Sequence, residues 1–218
     1  MSPRPFERPS TIALPDIDGL PPGASLDGLW LPARGEGGAR GGAVVAPPHP
    51  LMGGSMDSPV TTEIGLAMSD AGFVSLRFNW RGVGASAGTP SGETEDADVD
   101  YAAALSFMEE SVDGPIVACG YSWGALTAVR VCLDSPRVKR LVLVAPPPKM
   151  LDRDALEASG CSLLVIAGDA DEYVPIDDLE AKLEGVARSE LVVLPGVDHF
   201  FMAGLADVGR AARNWMSS

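Results

Sequence analysis

Pro115-Ile116-Val117-Ala118-Cys119-Gly120-Tyr121-Ser122-Trp123-Gly124-Ala125-Leu126 is the stretch that decides how this chain is read. Residues 115–119 are short, apolar and opened by Gly114-Pro115, which reads as a buried strand. Residues 125–133 can be helical. Ser122 therefore sits where a strand turns abruptly into a helix. A turn that sharp packs backbone against backbone, and a Cβ at Gly120 or Gly124 would collide. Its consequence is an exposed hydroxyl at a helix N-terminus, with the backbone N–H of Trp123 free to meet a developing negative charge. The bare pattern G-x-S-x-G is weak. The strand before it and the helix after it are what make it informative.

Outward from that turn, strands and helices alternate to the end of the chain. Segments 42–46, 73–80, 138–145, 162–167 and 191–194 read as further strands, and helices are expected over 59–71, 93–111, 152–158, from about 178, and over 203–216. Segments 11–14 and 26–31 add an antiparallel entry. The pattern predicts an α/β fold: a mainly parallel, twisted sheet of about 7–8 strands with helices on both faces. Only about 16 residues part strands 138–145 and 162–167, which leaves no room for a cap domain there. The 218 residues read as a single domain, with 1–9 a loose proline-rich arm. Asp177 and Glu180 are spaced as a capping box. The acids of 93–100 are explained by the favourable end of a helix dipole.

Composition excludes several partners. The net charge is −14, with 30 acids against 16 bases, so a nucleic acid or an anionic membrane surface would be repelled. No apolar run is long enough to span a bilayer, and the first nine residues lack the apolar core of a signal peptide. Cys119, Cys132 and Cys161 are odd in number and lie in apolar segments, so buried free thiols and a cytoplasmic location are expected. Oligomeric state is left as monomer or homodimer.

Loops at the carboxyl ends of parallel strands collect functional groups. A serine hydroxyl is a poor nucleophile until a base takes its proton. The chain holds two histidines, His49 and His199. His199 follows the last strand and could reach back to Ser122; His49, between prolines, is expected to shape its loop. The base needs a carboxylate to fix its tautomer. Asp169, Asp171 and Glu172 are all placed for this, and spacing does not choose among them. Asp198 adjoins the histidine but would point away from it. Arg77, Asn79 and Arg81 are read as braces for the loop after the fourth strand. The glycines of 82–88 lack the Lys-Ser/Thr that a phosphate-binding loop would add.

Taken together these residues resemble the α/β-hydrolase superfamily. Gly120-Tyr121-Ser122-Trp123-Gly124 matches its nucleophile elbow. Gly168-Asp169-Ala170-Asp171-Glu172-Tyr173-Val174-Pro175 looks like its acid loop, and Asp198-His199-Phe200-Phe201 is similar to its histidine loop. His49-Pro50-Leu51-Met52-Gly53-Gly54 resembles its oxyanion loop. Arg77-Phe78-Asn79-Trp80-Arg81-Gly82-Val83-Gly84-Ala85-Ser86 matches a segment of small cap-less members, close to carboxylesterase-like and dienelactone-hydrolase-like proteins. Pro50 stands where the oxyanion loop usually has glycine, and Ser122 where dienelactone hydrolases have cysteine.

The resemblance implies a serine hydrolase acting on small-molecule carboxylic esters, with Ser122, His199 and Asp171 as its triad. It implies no metal and no organic cofactor. The backbone N–H groups of Leu51 and Trp123 would form the oxyanion hole, with Met52 the alternative to Leu51. Tyr121, Trp123 and Met52 would line the substrate pocket. Without a cap, the site should be open to short-chain or bulky, accessible esters. A thioesterase or peptidase with the same triad is the alternative, and a non-catalytic binding protein on the same scaffold is a third reading.

Overall fold

A computed structural model describes residues 7–35 and 38–218. Eight strands form one sheet: β1 (Arg8–Ala13), β2 (Ser25–Leu31), β3 (Gly42–Ala46), β4 (Val74–Phe78), β5 (Ile116–Tyr121), β6 (Val138–Val144), β7 (Ser162–Gly168) and β8 (Ser189–Leu194). Their order is β1-β2-β4-β3-β5-β6-β7-β8. β1, β2 and β4 are joined antiparallel, and everything from β4 across to β8 is parallel. The helices are α1 (Pro59–Asp70), α2 (Thr94–Ser111), α3 (Trp123–Val131), α4 (Arg153–Ser159), α5 (Ile176–Leu183) and α6 (Leu205–Ser217).

The central strands β3, β4 and β5 are buried along their whole length, as strands covered on both faces must be. Their apolar runs carry the core with Phe78, Trp80 and Tyr101, which pack edge to face. Between β6 and β7 the chain has only a 3₁₀ turn and α4, so no cap covers the sheet's carboxyl edge there. No helix among the described residues is long and apolar enough to cross a membrane. Cys119, Cys132 and Cys161 are free and buried.

Several local readings need correction. Arg8 and Pro9, expected in the loose arm, pair with Trp30 and Leu29 as the start of β1; residues 1–6 lie outside the described residues. β1 is an edge strand, where a proline's missing N–H costs no ladder bond. The capping box at Asp177 and Glu180 does not form. α5 begins two residues earlier, at Ile176 after Pro175, so both acids lie inside the helix.

The acids of α2 also do more than meet a dipole. Asp96 and Asp100, one turn apart on one face, both hold Arg81, and Asp98 holds Arg130 at 2.7 Å. Arg81 reaches Asp100 through Nε at 3.0 Å and Nη2 at 2.8 Å, and its own backbone N–H donates to Asp100 at 2.8 Å. Burial pushes the Asp100 carboxyl above its ordinary range, and Arg81 opposes that shift. Asp100→Ala would leave the Arg81 guanidinium with its principal buried partner gone. The expected loss is about 3–5 kcal/mol of unfolding free energy, read by urea denaturation. A loss below about 1 kcal/mol would mean the pair is not a structural anchor.

Candidate active site

Ser122 ends β5 and begins the turn into α3 with φ +53° and ψ −113°, a conformation few non-glycine residues adopt. The turn is held by close backbone contact. A Cβ on Gly120 would overlap the backbone of Gly124, and one on Gly124 would lie 2.6 Å from the carbonyl oxygens of Ala46 and Pro47. The elbow is thus wedged against the end of β3, where the loop carrying His49 starts.

Three loops meet at Ser122. His199, from the loop after β8, places Nε2 3.1 Å from the Ser122 Oγ. Its Nδ1 lies 2.6 Å from Oδ2 of Asp171, from the loop after β7. The Asp171 side chain is fully buried, and its other oxygen accepts the backbone N–H groups of Tyr173 at 2.8 Å and Val174 at 3.1 Å. With both oxygens engaged, the carboxylate receives Nδ1–H and leaves the Nε2 lone pair facing the serine hydroxyl. The array can take a proton from Ser122 and hold the resulting imidazolium against Asp171.

The other candidate acids go elsewhere. Asp169 accepts the Gly196 N–H at 2.5 Å, Asp198 accepts the Met202 N–H at 3.3 Å, and Glu172 is exposed. Tyr121 is buried, and its hydroxyl donates to the His199 carbonyl at 2.7 Å, pinning the histidine loop to β5. Burial, and then Asp171 and Asp198, push that phenol's pKa far up, so it remains a donor.

The loop after β3 departs from expectation. The Leu51 N–H donates to His49 Nδ1 at 3.2 Å, and the Met52 N–H donates to the His49 carbonyl at 3.0 Å. Both amides proposed for an oxyanion are therefore spent within the 3₁₀ turn Pro50–Met52, which His49 caps. The cause is Pro50: it starts the turn and has no N–H of its own, so the capping imidazole falls to Leu51. The His49 N–H, by contrast, has no partner among the described residues, nor does that of Trp123 at the first position of α3. The two residues touch, ring centroids 4.7 Å apart. Burial lowers the His49 pKa, which favours the neutral ring that this cap requires.

Arg77 braces this loop rather than the one after β4, and Asn79 is bonded to both. The Asn79 side chain accepts the Met56 N–H at 2.8 Å, and Arg77 donates to the Met56 carbonyl and to Thr62. Trp80, which sequence reasoning passed over, donates its indole N–H to the Pro48 carbonyl at 3.0 Å and the Pro47 carbonyl at 3.2 Å. Arg81 holds the β4 turn against α2, and within that turn the Ser86 hydroxyl donates to the Asn79 carbonyl at 3.0 Å.

A cavity of about 710 Å³ opens beside Ser122. Tyr121, Trp123 and Met52 line it, as do Met150, Phe200 and Met202, which the sequence reading did not single out. No group of three or more His, Cys, Asp or Glu side chains suited to a metal ion occurs among the described residues.

A lidless α/β sheet with a serine at its central strand-to-helix turn defines a hydrolase architecture. The family model for the alpha/beta hydrolase fold matches residues 51–160, and the chain belongs to that family. It is similar to an alpha-beta serine hydrolase homologue of Coxiella burnetii, 28% identical with a TM-score of 0.81, covering 95% of this chain and 96% of that one. A serine hydrolase without lid from Xanthomonas campestris is 27% identical with a TM-score of 0.78, covering 97% and 96%. A thiohydrolase of Arthrinium phaeospermum is 33% identical over 57% of this chain and 41% of that protein.

Proposed function

We propose that this hydrolase cleaves carboxylic esters through an acyl-enzyme on Ser122. The observation that carries the reading is the hydrogen-bonded line from Asp171 through His199 to Ser122. Ser122 Oγ attacks the ester carbonyl as its proton passes to His199 Nε2, and Asp171 holds the imidazolium through Nδ1–H. The tetrahedral oxyanion rests on two backbone amides. Nε2–H then protonates the leaving oxygen and the alcohol departs. Water attacks the acyl group, giving its proton to Nε2; the acid leaves and the proton returns to Ser122 Oγ.

The two amides proposed are those of His49 and Trp123, because they are the unpartnered pair flanking the elbow. Backbone geometry offers a direct test. His49 has φ −59°, which proline adopts without strain, so His49→Pro deletes that N–H. His49→Ala keeps the amide and loses only the imidazole. The expected result is a kcat for His49→Pro about 10²–10³-fold below that of His49→Ala, with Leu51→Pro much nearer the parent. The reverse ranking would return the role to Leu51.

The ester reading is tested by a panel of p-nitrophenyl esters, an acyl-CoA and an aminoacyl nitroanilide, followed for a burst equal to the enzyme concentration. A burst on the esters is expected. The similarity to a thiohydrolase supports a thioester as the second reading, and turnover confined to the acyl-CoA arm would establish it in place of the first.

A further inference from the structure

Exposed apolar surface on this molecule is concentrated at one place. Eight large hydrophobic side chains are exposed among the described residues, and five of them, Met52, Met150, Tyr173, Phe200 and Met202, line the mouth of the cavity beside Ser122. Met202 is 86% and Met52 77% exposed. Patches of this kind mark binding surfaces, and flexible thioethers adapt to chains of differing shape. Further in, the wall is Trp123, Leu126 and Pro147.

Charge is the second observation. No Asp, Glu, Lys or Arg lines this cavity. The contrast within the same molecule is direct. A groove of about 360 Å³ between β8 and α6 is lined in part by Glu190, Asp207 and Arg210, and one of about 340 Å³ near α1 by Glu7, Asp57 and Glu63. An anionic group entering the large cavity would lose water and find no cation, inside a chain of net charge −14.

We infer that the cavity selects uncharged esters bearing an unbranched apolar chain well beyond acetyl, and rejects esters whose chain ends in a carboxylate. The inference rests on Ser122 being the nucleophile. It departs from the expectation that an open, lidless site takes short-chain or bulky, accessible esters: the uncapped cavity of about 710 Å³ is lined by methionine and phenylalanine side chains that an apolar chain can cover. The chain can belong to the acyl or the alcohol side of the ester, and the assay has an arm for each.

The test uses the intact protein with p-nitrophenyl acetate, butyrate, hexanoate and octanoate, and with acetates of the corresponding straight-chain alcohols, each below the concentration at which it aggregates. A fully buried methylene contributes about fourfold in kcat/KM, the ratio equivalent to about 0.8 kcal/mol. A rise of roughly 10- to 200-fold from butyrate to octanoate is therefore expected in one arm, and the arm that rises identifies the side. The p-nitrophenyl half-ester of adipic acid, an anionic counterpart of the hexanoate, should be about 10- to 100-fold poorer than the hexanoate. Met52→Ser with Met202→Ser should lower the octanoate-to-butyrate ratio. No rise with chain length in either arm would overturn the proposal while leaving an active serine hydrolase, and so, where the acyl arm is the one that rises, would a half-ester equal to hexanoate or an unchanged ratio in the double variant. If no ester is turned over faster by the parent than by Ser122→Ala, the ester reading itself fails, and the two failures are told apart by that turnover.

Discussion

Ser122→Ala is expected to lower kcat on the best ester by about 10⁴–10⁶-fold while leaving the fold intact. In a related catalytic arrangement, removal of the nucleophile alone costs about 2 × 10⁶ in kcat, and the remnant above water comes from bound substrate and the oxyanion donors. The substitution is mild structurally. Alanine keeps the Cβ, so the unusual φ of +53° is neither relieved nor worsened, and the elbow's glycine contacts are untouched. What disappears is one hydroxyl and its 3.1 Å bond to His199, a difference of about 1 kcal/mol in stability. Fluorophosphonate labelling and thermal melting together make the test. Loss of both label and activity at an unchanged melting temperature is the expected outcome. Equal labelling of parent and variant would place the nucleophile elsewhere and remove the basis of the proposed mechanism.

How far the sequence carries this picture depends on the range of the interaction involved. Buried parallel strands are legible because both faces must be apolar: Gly42–Ala46 and Ile116–Cys119 are continuous apolar runs bounded by turn residues. The elbow is legible because its constraint is steric and local, two glycines around one serine. With only two histidines in the chain, a search for a base is short, and the structure brings His199 rather than His49 to Ser122. The acid was less legible. Asp169, Asp171 and Glu172 share one loop, and only folding decides that Asp169 turns to Gly196 while Asp171 turns to His199.

Side-chain to backbone bonds between distant segments were the hidden part. Trp80 holding Pro47 and Pro48, and Tyr121 holding the His199 carbonyl, join residues 32 to 78 positions apart with no periodic signature. The spacing of Asp96 and Asp100 could have suggested a shared partner, since residues four apart face the same way on a helix; their position near the helix start supplied a sufficient but incomplete reason. The Leu51 amide failed for a related cause. Its loop could be aligned by resemblance, yet whether an N–H is free depends on the turn that Pro50 and His49 build together.

Asp171→Asn is the second large effect expected, about 10⁴-fold in kcat or roughly 5.5 kcal/mol, and the geometry says why so small a change should cost so much. Oδ1 of Asp171 accepts two backbone N–H groups, from Tyr173 and Val174. An asparagine must keep its oxygen on those donors, because its NH₂ would oppose them. The amide nitrogen is then left facing His199 Nδ1 in place of Oδ2. Two donors cannot share that contact, so the imidazole carries its proton on Nε2 instead. Nε2–H then points at Ser122 and can no longer take its proton. The substrate cavity is untouched, so KM should move by only a few-fold. Packing is conserved, so the melting temperature should change little. Asp171→Ala, which takes the side-chain acceptor from the Tyr173 N–H and leaves the Val174 N–H only the residue-171 carbonyl, should lower stability as well as kcat. Asp169→Asn and Asp198→Asn are the controls, each expected within about threefold of the parent because neither carboxylate meets His199. Retention of a tenth or more of the parent kcat by Asp171→Asn would mean that the tautomer of His199 is held by something other than this carboxylate.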